Sequence, residues 1–183
     1  MFLLKSKVMK LRITFIIAFV SFMGSMSYSQ GPVLNDTLQK STRFTDDGRL
    51  KIIYRDINED KLPKPLLRES KDDPELIDFQ INSVEKLVQI ANENFTKKEI
   101  EQLIESRFTL DCKILTSGKI VSASFVFYKK DPQICIKKLT LFSQEIKERL
   151  SITPIFSEKT DREGYAQCYI FAYYVFRNNL KQE

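Results

Sequence analysis

The chain has 183 residues, of which 43% are apolar and 29% charged, so it can bury one ordinary core and still present a well-solvated surface. It contains neither histidine nor tryptophan, which excludes imidazole-based triads and histidine-bearing zinc sites and removes the indole platform common in carbohydrate binding. The formal charge of +5 does not read as nucleic-acid binding: four of the 29 basic residues and none of the 24 acidic ones lie ahead of Gln30, leaving a nearly neutral remainder with interspersed charges.

The opening MFLLKSKVMKLRITFIIAFVSFMGSMSYSQ combines a cationic start (Lys5, Lys7, Lys10, Arg12), an apolar run over residues 13–23, and small residues Ser27 and Ser29 in signal-peptidase spacing. Residues 1–29 are therefore expected to be a signal peptide cleaved after Ser29, which makes the protein periplasmic or secreted. The apolar run falls well short of the ~20 residues of a spanning helix, so no stable membrane span is expected after cleavage. No cysteine precedes Cys112, which leaves none for lipid modification at that junction.

Residues 30–73 are polar and punctuated by DDGR and LPKP, with LKIIY (residues 50–54) as one short strand, and are expected to be a flexible or loosely docked arm. Order is expected from Pro74, where Ile77, Ile81, Val84, Val88, Ala91 and Phe95 recur at helical spacing. A second helix follows in TKKEIEQLIES, opened by a Thr96/Glu99 capping box and burying Ile100, Leu103 and Ile104.

The period then changes to two. In FTLDCKIL, Phe108, Leu110, Cys112 and Ile114 alternate with Thr109, Asp111 and Lys113; TSGK supplies a tight turn, and Val121, Ala123, Phe125 and Phe127 form the apolar face of a return strand, with Ser122 and Ser124 opposite. DPQICIKKLTLFSQEIKERL reads as a helix with Asp131 as N-cap and Pro132 in its first turn, its seam running through Cys135, Leu139, Phe142, Ile146 and Leu150 up to the stop at Pro154. YAQCYIFAYYVF reads as a closing strand, apolar on both faces.

This order gives an α+β domain over residues 74–183: a three-stranded antiparallel sheet (β-β-α-β) preceded by two N-terminal helices, with the first strand central and the aromatic strand on an edge. Cys112 and Cys168 then sit on neighbouring strands and are the candidate pair for a disulfide if they fall opposite one another. Cys112, Cys135 and Cys168 all lie on faces expected to be buried, which argues against a reactive thiol.

FTLDCKILTSGKIVSASFVF, with the helix DPQICIKKLTLFSQEIKERLSITP and the closing GYAQCYIFAYYVF, resembles the TonB C-terminal domain family over residues 108–177. The resemblance implies a periplasmic protein-binding module whose sheet edge accepts partner strands. TonB proteins proper keep a membrane anchor and a long proline-rich stretch, whereas this chain has a cleavable signal and only LPKP. Energy transduction is therefore not implied.

No catalytic, metal or cofactor site is expected. Asp72 with Asp73, and Asp161 with Glu163, read as solvated loop carboxylates; Lys129, Lys130, Lys137 and Lys138 read as solvated lysines. The expected function is a non-enzymatic interaction module that binds an envelope or secreted protein through Tyr169, Phe171 and Tyr173 on the last strand. The alternatives are a small-ligand binder with a cystatin-like curved-sheet pocket lined by Phe125, Phe127, Tyr169 and Tyr173, and self-association through the same edge.

Overall fold

The period-two stretch forms the centre of the fold. Strand β4 (Phe108–Leu115) and strand β5 (Ile120–Phe127) pair antiparallel, setting Phe108 opposite Phe127, Leu110 opposite Phe125 and Cys112 opposite Ala123 on one face. The turn between them closes through Gly118 N–H donating to the Leu115 carbonyl at 2.8 Å. Gly118 is required twice over: its φ of +84° favours glycine, and a Cβ there would lie 2.4 Å from the Ile152 carbonyl oxygen.

The computed structural model describes residues 37–45, 48–66, 74–160 and 163–180. Among these residues seven strands make two antiparallel sheets, and four helices accompany them. β1 (Leu38–Phe44) and β2 (Leu50–Asp56) join β4, β5 and β7 (Tyr165–Ile170) in a five-stranded sheet of order β1-β2-β5-β4-β7. β3 (Leu76–Ile81) pairs with β6 (Ile152–Phe156) in a separate two-stranded sheet. The helices are α1 (Val84–Asn94), α2 (Lys97–Glu105), α3 (Ile136–Arg149) and α4 (Ala172–Leu180).

The expected three-stranded sheet with two leading helices is therefore wrong, and each departure has a physical reason. Part of the segment expected to be an arm supplies β1 and β2, because β5 has a second edge to fill: Ile52, Ile53 and Tyr54 pair with Phe127, Val126 and Phe125. The polar composition of LQKSTRF suits a strand that is solvent-exposed along most of its length. The expected signal peptide lies outside the described residues.

The stripe beginning at Ile77 splits at Ser83. Residues 76–81 are a strand that leaves Ile77 exposed, and Ser83 caps α1 by accepting from the Lys86 N–H at 3.1 Å. The start of α3 is displaced from Pro132 to Ile136. Asp131, rather than capping a helix, closes a local turn by accepting from the Gln133 N–H at 3.1 Å, and it also receives Lys40 and the Tyr54 hydroxyl, which ties residues 131–135 to β1 and β2. Cys135 becomes the N-cap and is exposed, against the expectation that all three cysteines are buried.

The closing strand ends at Ile170, and the aromatic run continues as α4, placing Phe176 in the core. A stretch apolar on both faces suits either element, so its period could not decide between them. The helical face of the large sheet is closed by rings: Phe108 stacks against Phe127 and Phe176, with centroids 5.4 and 6.0 Å away, and packs on Phe125 and Phe142 at 5.5 and 6.3 Å.

Cys112 and Cys168 lie directly opposite one another on β4 and β7, both buried and both free thiols. Their mutual hydrogen bond, together with burial, pushes the Cys112 thiol well above the usual range. In the native protein a thiol reagent is expected to modify Cys135 alone, and three thiols after unfolding without reductant. One thiol after unfolding would instead establish a Cys112–Cys168 bridge. Gly118→Ala is expected to cost about 2 kcal/mol or more in urea denaturation. Gly48→Ala, at φ +75° with open space around it, should cost less; equal losses would mean that the contact with Ile152 carries no weight.

Candidate functional site: the open end of the last strand

The large sheet has two edges of opposite character. β1 presents Gln39, Lys40, Ser41, Thr42 and Arg43, the charged and polar guard usual for an exposed edge. Among the described residues β7 has no such guard, and residues 64–66 cover part of it with their backbone.

That cover starts at β2. A 3-10 turn (Ile57–Lys61) follows Asp56, whose carboxylate caps it by accepting from the Asn58 N–H at 3.0 Å. The segment then crosses the face of the sheet opposite the helices. Glu59 reaches down to β4 and β5: its Oε1 accepts from Ser122 at 2.9 Å and from the Ser124 hydroxyl, and its Oε2 accepts from Lys113 at 2.6 Å and from Arg55 at 3.1 Å. This explains why Ser122 and Ser124, expected on a solvent face, are buried. Burial alone would raise the Glu59 carboxyl; the hydrogen bonds from Lys113, Ser124, Arg55 and Ser122 outweigh it and hold the group below the ordinary range.

Past Glu59 the segment reaches the edge. Tyr165 N–H donates to the Lys64 carbonyl at 3.3 Å, and Leu66 N–H donates to the Tyr165 carbonyl at 2.8 Å, a short parallel pairing centred on Pro65. Lys113 lies 5.1 Å from the Tyr165 ring centroid, beneath this crossing.

The outward direction of Tyr165 sets the rest of the edge by parity. Ala166, Cys168 and Ile170 address β4, whereas the backbone groups of Gln167 and Tyr169 point away from it. Among the described residues no backbone group pairs with Gln167 or Tyr169 on that side.

The residues singled out in the sequence do not form one alternating row. Tyr169 lies on the sheet, 45% exposed, its hydroxyl accepting from the Gln167 side chain at 2.8 Å. Phe171 is the link between β7 and α4, 55% exposed, and Tyr173 is half-buried in the first turn of α4. The Phe171 and Tyr173 rings meet edge to face at 6.5 Å, and Tyr173 lies 4.1 Å from Tyr174, which is 53% exposed. Phe171, Tyr173 and Tyr174 thus form an aromatic corner at the end of β7, with Tyr169 preceding it.

The alternative curved-sheet pocket is not formed by its four residues. Phe125 and Phe127 are wholly buried on the helical face, while Tyr169 is exposed near Asp111 on the opposite face. What the sequence did not reveal is a cavity of 320 Å³ beside the corner, where Arg107, Lys129 and Arg177 converge with Tyr173 and Tyr174. Only the i, i+4 spacing of Tyr173 and Arg177 pointed to it, and that signal is unreadable while the segment is taken for a strand.

Among the described residues no group of three histidine, cysteine or acidic side chains could hold a metal ion, and no helix is long and apolar enough to cross a membrane. Glu163 is exposed; Asp72, Asp73 and Asp161 lie outside the described residues.

Because the folded Glu59 lies below its unfolded pKa, its contribution to stability is complete above about pH 5 and is lost as pH falls through the depressed folded value. Glu59→Gln is expected to lower stability at pH 7 by about 1–2 kcal/mol. The deficit should shrink toward pH 3 in urea denaturation, and a deficit independent of pH would show that the charge plays no part.

Compared with known proteins, the chain matches no family model and no curated sequence. Among solved structures it is similar to a DUF5043 family protein from Bacteroides uniformis, at 12% identity and a TM-score of 0.46, over 72% of this chain and 84% of that one.

Proposed function

We propose that the protein is a non-enzymatic interaction module of the periplasm or the cell exterior, which captures an extended segment of another envelope or secreted protein along the open end of β7. The observation that carries this reading is the chain's own use of that edge. Residues 64–66 already add to β7 at Tyr165 through two backbone hydrogen bonds, and among the described residues nothing pairs with the outward groups of Gln167 and Tyr169 beyond it. The resemblance of residues 108–177 to the TonB C-terminal domain family supports the same habit of binding.

Magnitudes assign the roles within the site. Two outward-facing residues offer only a few backbone hydrogen bonds, each contributing about 0.5–1.5 kcal/mol net. Covering an exposed Phe or Tyr contributes about 1.5–3 kcal/mol. Register and direction come from Gln167 and Tyr169, and most of the affinity comes from Phe171 and Tyr174. A lone exposed aromatic residue needs no explanation, but Phe171 and Tyr174, both exposed and both in ring contact with the half-buried Tyr173, do.

The test is photo-crosslinking of the exported protein in its own envelope from a reactive residue at position 171, with the same residue at position 43 on the opposite edge as control. One partner is expected from 171 and none from 43. Gln167→Pro, which removes an outward N–H from an edge where proline is tolerated, should abolish the crosslink while circular dichroism stays unchanged. Phe171→Ala should weaken capture about tenfold. An undiminished crosslink in Gln167→Pro, or equal crosslinking from position 43, overturns strand addition; a crosslink between two copies of this chain replaces the partner with self-assembly.

A further inference from the structure

We infer that the cavity between α2, the exit of β5 and the first two turns of α4 is a carboxylate subsite, which receives an acidic side chain of the segment docked on β7. The inference rests on the β7 reading for its occupant, but not for the chemistry of the cavity.

Three cations from three separate parts of the chain line this cavity: Arg107 between α2 and β4, Lys129 just past β5, and Arg177 on α4. All three are exposed, and among the described residues none has an acidic partner within ion-pair distance. Several other cations are matched, Lys113 and Arg55 with Glu59, Lys138 with Glu99, Lys147 with Asp56, and Arg149 with Glu93 and Glu145; Arg43 and Lys51, opposite one another on β1 and β2, are among the described residues unpaired like the cavity cations but lie on an open sheet face and line no cavity with them. Glu105, the acid in the cavity wall, is already engaged by Lys130 at 2.5 Å. The cavity is thus left with a positive excess that an incoming anion would neutralise.

Its shape and walls narrow the class of anion. A volume of 320 Å³ is at the lower limit of small-molecule sites and ample for one acidic side chain. Tyr173 and Tyr174 supply an aromatic wall with hydroxyl groups, and the two arginines supply planar forks suited to the two oxygens of a carboxylate. Arg107 takes a φ of +53°, a conformation that disfavours every residue except glycine and, to a lesser degree, asparagine and aspartate, yet the position holds an arginine beside the cavity.

Position selects the source. Tyr173 belongs both to this cavity and to the aromatic corner, where its ring meets Phe171 at the end of β7. A segment added along Gln167 and Tyr169 leaves the sheet at this point. A carboxylate one or two residues beyond the pairing would reach the three cations, fixing the register that a two-residue edge leaves loose.

The experiment is an amide-resolved NMR titration of the mature protein with N-acetyl-glutamate amide, with N-acetyl-glutamine amide as the isosteric neutral probe and inorganic phosphate as the competing anion. The glutamate probe is expected to shift Arg107, Lys129, Tyr173, Tyr174 and Arg177 saturably, and the glutamine probe to leave them unmoved. Arg177→Gln and Arg107→Gln, both at exposed positions, should each weaken binding about fivefold, and 0.5 M NaCl should weaken it further. Equal shifts from the neutral probe, or shifts spread over the surface lysines, overturn the subsite; phosphate binding tenfold tighter than glutamate replaces the carboxylate assignment. Gln167→Pro separates the two readings: it should leave this titration unchanged, so loss of the glutamate response in Arg177→Gln but not in Gln167→Pro upholds the subsite whatever becomes of the β7 edge.

Discussion

The fold depends on keeping Phe108 out of water. Its ring touches Phe125 and Phe127 on the neighbouring strand, Phe142 on α3 and Phe176 on α4, so one side chain at the start of β4 joins the sheet to two helices. Burial of such a ring contributes about 1.5–3 kcal/mol, and favourable ring geometry adds about 0.5–1.5 kcal/mol per aromatic pair. Because Phe176 is one of those partners, the docking of α4 follows from the core rather than from any surface contact. Tyr173, Tyr174 and Arg177, on the same short helix, are placed by that docking.

Two carboxylates at one turn, Asp56 and Glu59, hold the two faces of the sheet. Asp56, fully buried, takes Lys147 of α3 at 2.6 Å, and its own N–H donates to Ser124 at 2.9 Å. Three residues later Glu59 turns to the opposite face and gathers Lys113, Ser122, Ser124 and Arg55. A buried ion pair is often no more stabilising than apolar packing of equal volume, but it is costly to break, so it specifies where the turn must sit. That placement carries residues 64–66 to Tyr165, the outward position of β7 with which they pair.

The proposed binding surface is thus a remainder, formed where several requirements end. The crossing segment covers the first outward position of β7, and among the described residues the next two are left without a backbone partner; the core takes Phe176 and leaves Tyr174 exposed. Ion pairing consumes the cations near Glu59 and Glu99 and leaves those around the α2 and α4 cavity. Exposed aromatic residues, an unguarded edge and unmatched positive charge coincide at one corner, a combination of the kind that partner binding uses and that stability alone does not demand.

Local chemistry was legible wherever one element satisfied its own pattern. The β4–β5 hairpin, the glycine turn at Gly118 and the Thr96/Glu99 capping box, which all lie within single supersecondary units, follow from alternation, positive φ and reciprocal hydrogen bonding. The pairing of β2 with β5, the crossing held by Glu59, the split at Ser83 and the change from strand to helix at Phe171 were not legible, because each is decided by a distant partner. A run such as YIFAYYVF satisfies a strand and a helix equally well, and only the space beside Phe108 selects between them. The sequence by itself determined which residues must leave water and where the chain can turn. The tertiary structure alone decided which edges and charges were left without partners, since that depends on how elements far apart in the chain consume one another's surfaces.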